Sequence, residues 1–287
     1  MKCAKNLIVL LLAALAALGQ QSAPESASAK TMLAAVSRDE DLLRGGIGPS
    51  KWTGRGTIAV EPLARLTAAG EWSSIPCSAN NEKNCRKFER EYLSKPHDYT
   101  VVGADGKGTT IRSKPTTLSE CFDYGGTGTY SGGVIEKSTV AASTPEFFTD
   151  SEVVRPLNKD DTLAIRKLLS EFVPKKLDSP NGVRVLSMHL GKQNLYVLQR
   201  AFEDMPDGGQ RSLVFGIGVV ESHRFHLLYW KQNTVDENER VLGTISLKSG
   251  PDFLITVVSD PESHSYHVYG IRDGRLSLIY AGGGSSC

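Results

Sequence analysis

From Val183 to Tyr280 short apolar-rich runs alternate with clusters of turn residues, a pattern that predicts eight β-strands joined one after another. Gly191-Lys192-Gln193-Asn194, Glu221-Ser222-His223-Arg224, Ser249-Gly250-Pro251-Asp252 and Arg272-Asp273-Gly274-Arg275 read as hairpin turns. Asp273-Gly274 is the clearest, because a type I′ turn requires positive φ at both central positions. Longer connections carry Pro206-Asp207-Gly208, residues 233–238 and Asp260-Pro261-Glu262. By strict alternation Val241, Ile245 and Leu247 share one face, opposite Thr244, Ser246 and Lys248; Phe253, Ile255 and Val257 share another, as do Leu276, Leu278 and Tyr280. Leu195–Leu198 and Phe225–Trp230 are apolar on both faces and therefore must lie against a covering layer. Eight strands in meander order close into an up-and-down barrel or stack as two sheets, and the pattern accommodates both.

Upstream, Asp160 and Asp161 place negative charge where a helix begins, and Ile165, Leu168, Leu169 and Phe172 follow at helical spacing until Pro174. This amphipathic helix is expected to cover the meander. Residues 47–143 read as a smaller β-rich domain with one helix. Its strands are expected at 57–66, 71–75, 99–104 and 109–113, with a hairpin turn at Asp105-Gly106-Lys107-Gly108. Asn81 to Leu93 fits a helix with Cys85, Phe88, Tyr92 and Leu93 on one face, stopped by Pro96. The fold class is thus α+β, mostly β, with a boundary near residues 138–154 and a helix-plus-meander domain over 144–287.

The N-terminus reads as a secretory signal over residues 1–19. Lys2 and Lys5 precede a 12-residue apolar run, Leu7 to Leu18, too short to span a bilayer, and Ala17-Leu18-Gly19 ends it. Residues 20–46 form a leader, Ser/Ala/Pro-rich at first and then a short helix from Met32 to Arg44. Loss of the signal leaves 31 basic residues (33 less Lys2 and Lys5) against 32 acidic ones, a net charge of −1. That balance excludes a dedicated nucleic-acid binder. Of five cysteines, Cys77, Cys85, Cys121 and Cys287 remain, an even number that suits two disulfides in a secreted or periplasmic protein. Cys77–Cys85 with Cys121–Cys287 is the favoured pairing, and a Cys287 left over would pair between molecules. Their spacing fits no zinc site.

Candidate chemistry is sparse. Gly125-Gly126-Thr127-Gly128-Thr129-Tyr130-Ser131-Gly132-Gly133 resembles a phosphate cradle in composition only, since no amphipathic helix follows it, and it reads as a glycine-rich hairpin or bulge. His223/His226 and His264/His267 share a spacing that in a strand sends the two rings to opposite faces, so neither pair is a ready ligand set. His97 and His189 have no evident partner in sequence. In a meander, odd and even turns lie at opposite ends. The even turns gather acids, among them Asp204, Asp236, Asp260 and Glu262, candidate oxygen ligands for a hard cation such as Ca²⁺ or a cationic partner. The odd turns, with Lys192, Arg224, Lys248, Arg272 and Arg275, make a mildly basic end. No nucleophile elbow or metalloprotease motif is present. The expectation is an exported, soluble, non-catalytic binding or interaction protein with a small-molecule or protein partner, no nucleic acid and no transmembrane segment in the mature chain. An exported hydrolase built from scattered Asp, Glu and His, and a structural envelope component, are the alternatives.

Overall fold

The computed structural model describes residues 30–37, 52–77, 81–101, 109–119, 124–135, 138–149, 155–156, 165, 183–191, 193–200, 203–204, 210–211, 215–222, 224–231, 237–260 and 263–284. Among them the chain is mostly β, with one short α-helix that continues as a π-helical turn, and with a 3-10 turn at Pro145–Phe147. The expected signal, the expected hairpin turn at 105–108, Cys121, Cys287 and all of the expected covering helix except Ile165 lie outside these residues. Ile165 itself is helical and buried.

The first unit runs β1 (Lys30–Ser37), β2 (Trp52–Thr67), β3 (Trp72–Ser73), α1 (Glu82–Phe88), β4 (Asp98–Val101), β5 (Thr110–Ser113), β6 (Gly126–Ile135) and β7 (Ser138–Ala142). Neighbours follow the order β1-β7-β4-β5-β6-β2, and β2 returns to pair with β1, closing a six-stranded antiparallel barrel. The 16-residue β2 makes closure possible, since its first half pairs with β6 and its second with β1. After α1 the helix continues as a π-helical turn, Glu89–Leu93. Cys85, Phe88 and Leu93 pack into one core with Val36, Ile58, Val60, Tyr99, Ile111 and Tyr130. The Cys77–Cys85 disulfide ties this helix to the loop that follows β3.

One expectation is corrected here, and one pair of alternatives is decided. Residues 32–37, read as the start of a leader helix, form β1 and are buried on both faces: Met32, Ala34 and Val36 join the barrel core, while Leu33 and Ala35 face the next layer. Its apolar run is too short for periodicity to separate strand from helix. From Gly126 on, the glycine-rich stretch lies within the single strand β6 and forms no hairpin; its pairing with β2 is irregular between Arg55↔Ser131 and Thr53↔Val134, the bulge alternative. A Cβ on Gly128 would come within 2.8–2.9 Å of Ile111 and Val60, so a side chain there would crowd the barrel core.

The remaining strands are β8 (Phe148–Thr149), β9 (Arg155–Pro156), β10 (Val183–Leu190), β11 (Gln193–Arg200), β12 (Glu203–Asp204), β13 (Gln210–Arg211), β14 (Phe215–Glu221), β15 (Arg224–Lys231), β16 (Asn238–Leu247), β17 (Asp252–Ser259), β18 (His264–Arg272) and β19 (Arg275–Gly282). The meander divides after β15 into two stacked sheets, ordered β15-β14-β11-β10-β9 and β19-β18-β17-β16-β8; β12 and β13 form a separate short ladder. Leu195, Val197, Phe215 and Ile217 of the first sheet pack on Leu254 and Tyr269 of the second. The opposite face of the second sheet, with Phe253, Ile255, Val257, Tyr266 and Val268, packs on Leu33, Ala35, Leu63 and Val140 of the barrel. The second sheet is therefore a middle layer, covered on both sides, and the first is an outer layer.

β-Bulges alter the expected faces. A bulge between Val241 and Gly243 moves Val241 to the outer-sheet side, while Leu242, Ile245 and Leu247 face the barrel. Another, opposite Val268 and Tyr269, separates Leu276 on the outer-sheet side from Tyr280 on the barrel side. One extra residue reverses every side chain beyond it, which strict alternation cannot anticipate.

Candidate functional site

Strand β18 begins His264-Ser265-Tyr266-His267-Val268-Tyr269, two successive His-x-Tyr steps. Residues two apart share a face and residues three apart do not, so one step faces the barrel and the other the outer sheet. Each meets a buried glutamate.

On the outer-sheet side Glu239 of β16 is fully buried. Its Oε1 accepts hydrogen bonds from Thr256 at 2.7 Å and Tyr269 at 2.9 Å, and its Oε2 accepts one from Tyr229 at 2.9 Å. The Lys231 ammonium lies 3.4 Å from Oε2 and 2.6 Å from Glu237. Burial opposes the charge of Lys231, but the Glu237 hydrogen bond and the Glu239 charge outweigh it and hold the ammonium above its usual range. Burial raises both tyrosine hydroxyls, so they remain donors at neutral pH. His267, 3.9 Å from Glu239, is held below the usual imidazole range, chiefly by burial. A carboxylate has about four lone-pair sites; three hydroxyls and one ammonium occupy those of Glu239.

On the barrel side Glu61 of β2 projects into the junction with the middle sheet. Nε2 of His264 lies 2.8–2.9 Å from both of its oxygens, and Tyr266 donates to it at 3.0 Å. The Tyr266 hydroxyl is pushed well above its ordinary value by burial first and by the Glu61 charge second. Both clusters bridge layers: the Glu61 contact joins the barrel to the middle sheet, and the Glu239 cluster joins β16, β17 and β18 of the middle sheet to β15 of the outer sheet.

A third feature lies at the odd-turn end. The β2–β3 turn (Ala69, Gly70), the β10–β11 turn (Gly191, Gln193), the β16–β17 turn (Pro251, Asp252) and the end of β18 (Gly270, Ile271, Arg272) enclose a cleft of about 780 Å³. Gly191 has φ +58°, and a Cβ on it would strike the Asp252 carboxylate, so both its conformation and its neighbour demand glycine. Turns one, five and seven of the meander meet here, at the basic end read from the sequence.

The cation candidates fare differently. Asp236 and Glu262 lie outside the described residues, and only the backbone of Asp204, in β12, is described. Asp260 folds back on its own turn, accepting hydrogen bonds from the backbone N–H of Ser263 at 2.6 Å and from its hydroxyl. Among the described residues no three His, Cys, Asp or Glu side chains gather as a metal would require. The Cys77–Cys85 pairing is formed; Cys121–Cys287 lies outside. His97, partnerless in sequence, stacks on Tyr92 with ring centroids 3.7 Å apart. Sequence reading missed Glu61 and Glu239 as buried centres. The repeated His-x-Tyr step was the available signal. No helix among the described residues is long and apolar enough to cross a membrane. No protein-family model matches the chain, and neither the curated proteins nor the solved structures provide a significant match.

Proposed function

We propose that the protein is an exported, non-catalytic binding protein that takes a small ligand in the cleft where turns from all three layers meet. The observation that carries this reading is the cleft itself: about 780 Å³, walled by Ile271 and Gly270 and rimmed by Gln193, Asp252 and Arg272. Concave sites of roughly 300–1,000 Å³ with apolar walls and few polar groups are where small molecules bind. The Glu239 cluster is committed to internal hydrogen bonds, which suits a scaffold. Native mass spectrometry of the protein recovered from the cells that export it tests the reading. The expected result is a retained mass on the wild-type chain that is lost from Ala69→Trp, whose indole fills the cleft from an exposed turn. A retained mass unaffected by Ala69→Trp, or none, overturns it.

One contact favours the second reading, an exported hydrolase. Glu61 stands within hydrogen-bond reach of His264, the pairing that orients an imidazole base. Turnover of chromogenic ester, amide or glycoside substrates that Glu61→Gln abolishes would favour the hydrolase; turnover in neither protein favours the binding reading.

A further inference from the structure

We infer that the cleft takes an anionic amphiphile, a long-chain carboxylate, with its headgroup on the Arg272–Arg275 pair; the inference rests on the reading of the cleft as the binding site. Arg272 and Arg275 stand directly opposite each other across the two-residue Asp273-Gly274 turn. Like charges placed directly opposite in a ladder destabilise it. Both arginines are exposed, and among the described residues neither forms an ion pair or a side-chain hydrogen bond. A ladder position that costs stability and satisfies no internal partner is what an anion site requires.

The pair is placed to serve the cleft. Arg272 lines it, two residues along the same strand face from Gly270. Leu190, Phe253, Ile271 and Ile279 supply apolar wall beside that cation, ready to bury a hydrocarbon chain. Guanidinium groups grip a carboxylate through paired, charge-assisted hydrogen bonds. The acids nearby set the charge of the headgroup. Asp273 lies in the turn itself, leaving the hairpin with two arginines against one aspartate, and Asp252, on the neighbouring strand beside Gly270, sits against Gly191. A monoanion matches that balance, whereas a phosphate dianion meets two carboxylates.

Titration calorimetry of the full mature chain with decanoate below its micelle concentration is the test, with decyl maltoside and decyl phosphate as comparators. Decanoate is expected to bind one to one, and less tightly as salt rises. The Arg272→Gln/Arg275→Gln double variant is expected to lose at least tenfold in decanoate affinity, with an unfolding midpoint no lower than wild type because the opposed charges are gone. Equal decanoate affinity in the double variant overturns the inference, as does tighter binding of decyl phosphate or no decanoate binding at all. Decyl maltoside binding that Ala69→Trp blocks, with no decanoate binding, overturns the anion and leaves the cleft as the binding site.

Discussion

The two faces of β18 carry the same His-x-Tyr step against a buried glutamate, yet they neutralise it differently. Toward the outer sheet, Glu239 has an ammonium, two tyrosine hydroxyls and a threonine hydroxyl. Its compensation is a permanent cation within a dense set of donors. Toward the barrel, Glu61 has one tyrosine and an imidazole that spans both oxygens. Its ring partner carries charge only when protonated. A buried carboxylate must be paired or heavily hydrogen-bonded, and the strand shows both answers back to back. Both sit at a junction of layers; the difference is that four strands, β15 to β18, supply the fuller set and only two, β2 and β18, the leaner one.

Removing each acid in turn breaks the comparison most severely. Glu239→Leu leaves Lys231 and three hydroxyls without their shared acceptor, and about 3–5 kcal/mol of unfolding free energy is expected to be lost. Glu61→Leu removes the acceptor of one hydroxyl and the carboxylate partner of a ring that can stay neutral, for about 1–3 kcal/mol. Urea unfolding of both variants measures the gap; equal losses would show that the lysine adds nothing. The hydroxyls sharpen the contrast at a smaller scale. Tyr266→Phe is expected to cost about 2 kcal/mol and Tyr269→Phe about 1 kcal/mol, because Oε1 of Glu239 keeps Thr256 while Glu61 retains only its imidazole. The smallest effect is one of pH. Burial lowers the His267 pKa below its ordinary 6.5, so on acidification the unfolded chain takes up that proton before the folded one. The stability that the neutral ring contributes is complete above about pH 6.5 and is lost as pH falls through the folded value. Wild-type unfolding free energy should therefore fall on acidification more steeply than that of His267→Asn. Parallel curves would place His267 outside the network.

Much of the frame was legible because turn chemistry is local. Asp273 and Gly274 adopt φ of 50° and 69°, as a type I′ hairpin requires, and the face shared by Phe253, Ile255 and Val257 follows from alternation alone. The helix through Cys85, Phe88 and Leu93 also stood out, since its apolar spacing is helical and Cys77 lies one short loop away. Closure of the barrel was not legible, because it depends on β2 serving two neighbours at once. The bulges after Val241 and after Leu278 were hidden for a related reason: an unpaired residue leaves no compositional mark. The glutamates were harder still. Glu61, in the middle of β2, and Glu239, near the start of β16, resemble any strand acid until β18 brings them a tyrosine from 205 and 30 residues further along the chain, respectively.

The layer covered on both sides has a consequence for biogenesis. Its four long strands, residues 238–282, are made after the barrel and the outer sheet. Chains tend to fold from their leading end as they emerge. Two half-exposed surfaces thus stand ready before the stickiest ribbon appears, and that ribbon slides between finished walls and never has to wait naked for them.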